Sequence, residues 1–277
     1  MQLTRSKGLH KPDPDKAAHR KPLLAMARFA SGTPRGSAML ERADFADQGQ
    51  SSTCFWHSLA WCIWCALRAL GVLSPILASP RLGASLTYSR VRKNTTTPGG
   101  DFPMLIDTGA DLSDASAVGA EWGVAPMIGP TSDGRNSDIE NMGQNGVPLI
   151  AGGQFPEPDT RLIQEGASTL ISGEYSIPIG SDTALAMALC LDAGVPIWTG
   201  GPVAQPFEDL GPSQVATATD VVNGSGHAMY VRGYRMIGPA FQFLIVSSWG
   251  SWGERWVDES FVQTFWQAWP MAVKVSS

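Results

Sequence analysis

A chain of 277 residues that is 43% hydrophobic and contains ten Trp can bury one substantial core, or two small ones packed against each other. Its longest apolar stretch, Leu59 to Leu67, lies between His57 and Arg68 and is less than half of the ~20 residues a membrane span requires, so no transmembrane helix and no membrane partner are expected. The net charge of −5 is unevenly placed: residues 1–42 hold nine Lys/Arg against three Asp/Glu, which sets a +6 leader ahead of a −11 body.

That leader is basic at Arg5, Lys7 and Lys11 but runs into KPDPDKAAHRKP, with no apolar run and no small-residue cleavage site, so we read no secretory signal. Three readings of it stay open on charge alone: a solvated flexible leader, a plug over an acidic cleft, or a contact to nucleic acid or an assembly partner. The four cysteines are Cys54, Cys62, Cys65 and Cys190, and the first three share one apolar stretch rather than disulfide spacings, which points to a reducing compartment. The glycosylation acceptors at Asn94 and Asn223 are therefore taken as chance.

After the leader, Cys54 to Leu70 (CFWHSLAWCIWCALRAL) is apolar almost all round and is followed by Gly71, the pattern of a buried helix. A more polar helix is predicted from Asp111 to Trp122, capped by Asp111 and stopped by Gly123. A Gly/Asn/Ser/Asp-rich stretch from Gly129 to Gly146 breaks the pattern, and a lobe boundary is expected at its end. Ser181 to Ala193 predicts a third helix, with Ser181 or Asp182 as cap and Gly194 as terminator, and Val195 to Thr199 begins a strand. His227–Tyr234 and Phe241–Trp249 read as strands joined by a turn at Gly238–Pro239. Helices early and strands late predict an α+β protein.

The segment Asp47-Gln-Gly-Gln-Ser-Ser-Thr-Cys54 places a thiol at the start of the buried helix. Unpaired N–H groups and the positive end of the helix dipole there favour thiolate, although a lone cysteine is more often a small space-filling residue. Gln48 can fold back so that its amide and the Cys54 N–H form a two-donor oxyanion hole; alone it would read as a turn residue. Among four histidines, His10 and His19 lie in the leader, and His57 lies one turn along the helix from Cys54. His227, after a glycine and opening an apolar strand, is the candidate base. A zinc site on Cys54, His57, Cys62 and Cys65 fails on geometry, since Cys54 and Cys65 on one helix stand about 16 Å apart. No metal and no cofactor are expected.

DQGQSSTC resembles the nucleophile motif of papain-like cysteine peptidases, most similar to the bacterial and phage branch. Three more matches follow in the family's order. Asp107-Thr-Gly-Ala-Asp-Leu with Trp122-Gly-Val-Ala-Pro126 resembles the segment lining the substrate cleft. Gly226-His227-Ala228 with Gly233-Tyr234 is similar to the strand carrying the catalytic histidine. Ser248-Trp249-Gly250 with Trp252-Gly253-Glu254 resembles the segment closing the site. The resemblance covers Ala43 to about Val257 and says nothing of residues 1–42.

It implies a two-lobed papain-like fold: a helical lobe carrying the nucleophile helix over 43–146, a β-rich, barrel-like lobe carrying the histidine over 147–277, and a basic arm over 1–42 that is flexible or partner-binding. Carried over residue by residue, it implies catalysis by Cys54, His227, Gln48 and Ser247, shielding by Trp249, and substrate binding by Asp107, Thr108, Gly109 and Gly226. The implied partner is a polypeptide substrate, and the expected location is the cytoplasm, or a virion if the chain is phage-encoded. Four departures stand out. Ser247 replaces the family's Asn, whose amide oxygen orients the histidine; Phe55 and Trp56 follow the nucleophile; one residue is missing between Gly250 and Trp252; and Ser51 replaces a disulfide cysteine. The family's long inhibitory propeptide is not recognised before Gln48. The leading expectation is a thiol endopeptidase, with a weakened or inactive papain-fold binding or assembly component, such as a virion protein, as the alternative. An amidase or acyltransferase is the third.

Overall fold

The computed structural model describes residues 9, 11, 21–22, 32–42, 48, 52, 54–71, 105–106, 109–113, 115–116, 120, 154–155, 169–171, 175–249, 253–271 and 273–275. The boundary expected at residue 146, the stretch 129–146 and the motif residues 122–126 lie outside them. Among the described residues no helix is long and apolar enough to cross a membrane.

The elements that position the site are β1 (Ser37–Met39), α1 (Cys54–Ala69), α2 (Thr183–Asp192), β2 (Ile197–Val203), β3 (Val215–Ala216), β4 (Ser225–Ile237), β5 (Ala240–Val246), β6 (Glu254–Asp258) and β7 (Gln267–Pro270). α1, α2, β2, β4 and β5 agree with the predicted elements to within a few residues, whereas β1, β3, β6 and β7 were not predicted; residues 112–113, 115–116 and 120 of the predicted second helix are helical. The strands form one seven-stranded sheet in the order β7-β2-β4-β5-β6-β3, with β1 paired to β4. All pairings are antiparallel except β6 with β3.

Strand β4 is the spine of this sheet because it is long and apolar on both faces. Ala228 and Tyr230 pack with α1, whereas Met229 and Val231 join the cluster around α2; the split follows the two-residue period of a strand. A bulge opposite Leu244/Ile245 adds one residue to β4, so that Leu244 faces Gly233 and Ile245 faces Val231. Parity then flips, and Tyr234 joins the cluster of Met229 and Val231. The extra residue is Arg232, whose guanidinium pairs with Glu254 and donates to the Leu40 carbonyl at 2.6 Å.

The end of the basic leader belongs to this sheet. Beyond the part of β4 that pairs with β2, the same edge pairs with β1 through Ser37–Arg235, Ala38–Tyr234 and Met39–Gly233. Arg35 N donates to Asp192 Oδ2 at 2.9 Å, Leu40 N donates to the Arg232 carbonyl at 2.8 Å, and Glu41 takes a bidentate contact from Arg68 at 2.9 and 2.8 Å. The predicted cap of α2 takes another form: Asp182 is the N-cap residue but makes no side-chain cap bond. Thr183 Oγ1 instead accepts from Gly180 N at 2.7 Å.

Helix α1 is buried over its first three turns and ends at Gly71, whose φ of +75° suits glycine and closes the last turn. Its start is tied down by Ser58, whose hydroxyl donates to the Cys54 carbonyl at 2.8 Å and accepts from Trp198 Nε1 on β2 at 2.8 Å. Ser58→Ala would orphan a buried indole N–H, so it should lower unfolding free energy by about 1–3 kcal/mol in chemical denaturation. Tyr230→Phe is the contrasting case: this buried hydroxyl has no hydrogen-bond partner among the described residues, and its removal should leave stability unchanged or raised.

Candidate active site

His227 is the third residue of β4, and Ser247 directly follows β5, which pairs antiparallel with β4 and so returns toward it. Ser247 Oγ lies 2.8 Å from His227 Nε2. Trp249 stacks on the imidazole, with ring centroids 4.0 Å apart and planes inclined by 22°. All three residues are buried, so one ring edge meets a hydroxyl and one face meets an indole that excludes water. When Nε2–H donates to Ser247, the lone pair sits on Nδ1, the tautomer a base working through Nδ1 requires.

Gln48 is buried and held by the next residue along. Its N–H donates to the Ser248 carbonyl at 2.9 Å, and Ser248 Oγ donates to its Oε1. With Oε1 accepting from Ser248, the amide orientation is fixed and Nε2 is its donor end. Ser247 and Ser248 thus anchor the histidine and the glutamine from one dipeptide.

Cys54 is the first residue of α1, fully buried, in one core cluster with Ala228, the neighbour of His227. The first turn of α1 carries no acidic residue to offset the positive end of the helix dipole. The other three thiols are held in the protonated form. Burial, reinforced by Cys65, pushes Cys62 well up, and burial pushes Cys65 and Cys190 up to about 12. His57 is buried edge-on to Trp61, with centroids 5.9 Å apart, as a core residue of α1.

Of the expected substrate-binding residues, Asp107 and Thr108 lie outside the described residues. Gly109 is buried at φ +73°, and Gly226 precedes His227. Between them lies a residue the sequence reading did not single out. Leu9 of the basic leader donates its N–H to the Gly226 carbonyl at 3.2 Å and forms a parallel bridge with Ala110, and it is only 6% exposed. Lys11 follows, its Nζ 5.7 Å from the Trp266 ring centroid. The sequence signal was faint: one leucine in a polar stretch.

By sequence, no family profile and no curated protein matches the chain. By structure it is similar to xylellain, a cysteine protease from Xylella fastidiosa, at 19% identity over 100% of both chains with a TM-score of 0.67. It is similar to digestive procathepsin L 3 of Tenebrio molitor at 15% identity, covering 97% of this chain and 76% of that one, with a TM-score of 0.59. It is also similar to bromelain from Ananas comosus, solved with the E64 inhibitor, at 12% identity, 86% and 98% coverage and a TM-score of 0.56. The chain has the papain-like cysteine protease fold, in the expected α+β class.

The raised thiols lead to a direct test. A pKa of about 12 leaves on the order of one Cys65 or Cys190 in ten thousand as thiolate at pH 8, and only thiolate alkylates. In native protein at pH 8, an alkylating reagent mapped by mass spectrometry should therefore modify no cysteine other than Cys54, and all four after unfolding.

Proposed function

We propose that this chain is a thiol peptidase of the papain-like type, hydrolysing peptide bonds through Cys54 and His227. The observation that carries the reading is the seating of His227 between Ser247 and Trp249, an arrangement that engages Nε2 and so orients the ring as a base working through Nδ1 requires. The likeness to xylellain along the whole of both chains supports the bacterial side of the resemblance. Four cysteines without disulfides support a reducing compartment, which we take as the cytoplasm.

In this reading, His227 Nδ1 takes the Cys54 proton, and the thiolate attacks the scissile carbonyl carbon. The carbonyl oxygen becomes an oxyanion facing the Gln48 amide and the Cys54 N–H, two donors placed before the charge develops. Collapse of the intermediate breaks the C–N bond, and His227 returns its proton to the leaving amine. Water then attacks the thioester, with His227 taking its proton, and the carboxylic acid product leaves with the thiolate restored. Throughout, Ser247 accepts from Nε2–H, and Trp249 keeps water from competing for that bond.

The departure at Ser247 separates this reading from a binding or assembly protein on the same fold. Ser247→Ala should lower kcat and spare KM, because it loosens the base and not the substrate, and Ser247→Asn should hold or raise activity. Gln48→Ala should lower kcat by about 10²–10³. Steady-state kinetics on peptide substrates, with thiol labelling by a peptidyl epoxide, reads all three. Absent hydrolysis and absent labelling of Cys54 in both wild type and Ser247→Asn would favour the binding reading.

A further inference from the structure

Cys54 and His227 come to the site on different elements, so their separation is only as fixed as the seat of α1 on the sheet. Apolar packing presses a helix against a sheet without favouring one point of contact over the next, whereas a buried hydrogen bond is directional and fixes a point. Such a point lies one turn from Cys54. Ser58, four residues on and so on the same face of α1, donates its hydroxyl to the Cys54 carbonyl at 2.8 Å and accepts from Trp198 Nε1 at 2.8 Å, with the Phe55 carbonyl 3.2 Å away. Ser58 and Trp198 are both wholly buried, at 0% exposure.

The direction of each bond is forced. An indole nitrogen only donates, and a serine hydroxyl has one hydrogen, so Ser58 accepts from Trp198 and turns its own hydrogen to the helix carbonyls. Trp198 is fixed in turn. Strand β2 pairs with β4 from Ile197–Val231 to Val203–Ser225, which sets Trp198 opposite Tyr230 and Gly201 opposite His227. On the other edge of β2, where Trp269 of β7 lies opposite, the two indole rings meet edge-on with centroids 5.4 Å apart and planes at 89°. A chain of two hydrogen bonds thus joins the carbonyl of Cys54 to the strand laddered against His227.

We propose that Ser58 and Trp198 are positioning residues for the nucleophile, a strut that fixes the first turn of α1 on the sheet and with it the approach of Cys54 to His227. The inference rests on the peptidase reading for the pairing of Cys54 with His227; the strut itself stands on geometry. It acts on the backbone of the nucleophile and not on the substrate. A thiolate is held in that form by an adjacent imidazolium through an attraction that falls with distance, and a misplacement of about 1 Å at reacting groups costs on the order of 10²-fold in rate. Loss of the strut therefore slows the step that uses Cys54 and leaves peptide affinity alone.

The experiment compares the full chain with Trp198→Phe, which keeps a ring and removes the N–H, with Ser58→Ala, which removes the hydroxyl, and with the two combined. Each should lower kcat on a peptide substrate by about 10–100-fold with KM within about twofold, and the double variant should be no slower than the slower single, because both break one chain of bonds. Alkylation of Cys54 by iodoacetamide, mapped by mass spectrometry, is the second readout. It should slow by about tenfold at pH 6.5, where reactivity depends on the pairing with His227, and change by less than about twofold at pH 9.5, where thiolate forms regardless. Ile63→Val removes one buried methyl farther along α1 and should lower the melting temperature without moving either rate. Should Trp198→Phe lose its circular-dichroism signal, Ser58→Ala, the smaller change, carries the same expectation. Unchanged rates in folded Ser58→Ala, losses that multiply in the double variant, or an equal slowing in Ile63→Val would overturn the proposal. Hydrolysis and alkylation are scored apart: slowed alkylation in the variants of a chain that cleaves no peptide would keep the strut and sink the peptidase reading, and hydrolysis untouched by both variants would do the reverse.

Discussion

Strand β4 is buried on both faces and paired along both edges, and the other elements take their places from it. One face must cover Ala228 and Tyr230 and receives α1, with Cys54 at its start. The other must cover Met229 and Val231 and receives the cluster around α2. Each large apolar side chain fully buried in this way contributes about 1.5–3 kcal/mol, so neither cover can leave cheaply. His227 sits at the head of this strand, and its position is therefore set by packing on both sides before any polar contact is made. The bulge at Arg232 matters for the same reason: without it Tyr234 would point at the wrong face, and the charge that clasps Leu40 and Glu254 would have no outlet.

On that frame, two consecutive serines carry the polar positioning. Ser247 reaches His227 Nε2 at 2.8 Å, so the shorter side chain in the family's Asn position still makes the contact. What it gives up is rigidity, since a hydroxyl rotates about one bond and an amide plane does not. Stacking by Trp249 and complete burial offset part of that freedom by removing water as a rival partner. Ser248 turns the same backbone stretch to Gln48, so His227 and Gln48 are located by one dipeptide whose own carbonyls and amides are held, as in the bond from Ser247 N to the Gly253 carbonyl at 3.0 Å. Movement of one group would be felt by the other.

Helix α1 and strand β4 were legible in the sequence because each announces itself locally. Cys54 opens an apolar run stopped by Gly71, and His227 opens a strand whose two faces are both apolar. The contact of Ser247 with His227 followed from a resemblance rather than from pattern, and it forms because β5 returns beside β4. The pairing of residues 37–39 with β4 was not legible: Ser-Ala-Met has no strand signature, and it is a strand only because β2 leaves an edge of β4 unpaired beyond Val231. Leu9 was hidden for a related reason. Its environment is made by Gly200, Gly226 and Leu112, which are remote in sequence and individually unremarkable, and contacts made against glycines leave no periodicity to read.

Magnitudes decide how firmly Leu9 is held. A buried leucine contributes about 1.5–3 kcal/mol, and one backbone hydrogen bond about 0.5–1.5. Fixing even two or three residues of backbone costs about 1–2 kcal/mol each, so a free peptide making only these contacts would bind weakly. The tether changes the balance. Residues 35–42 are sewn into the sheet and Lys21–Pro22 pair with Tyr175–Ser176, so the leader that carries Leu9 is anchored at two further places. Opposite charge, +6 on the leader against −11 on the body, adds an attraction that salt weakens.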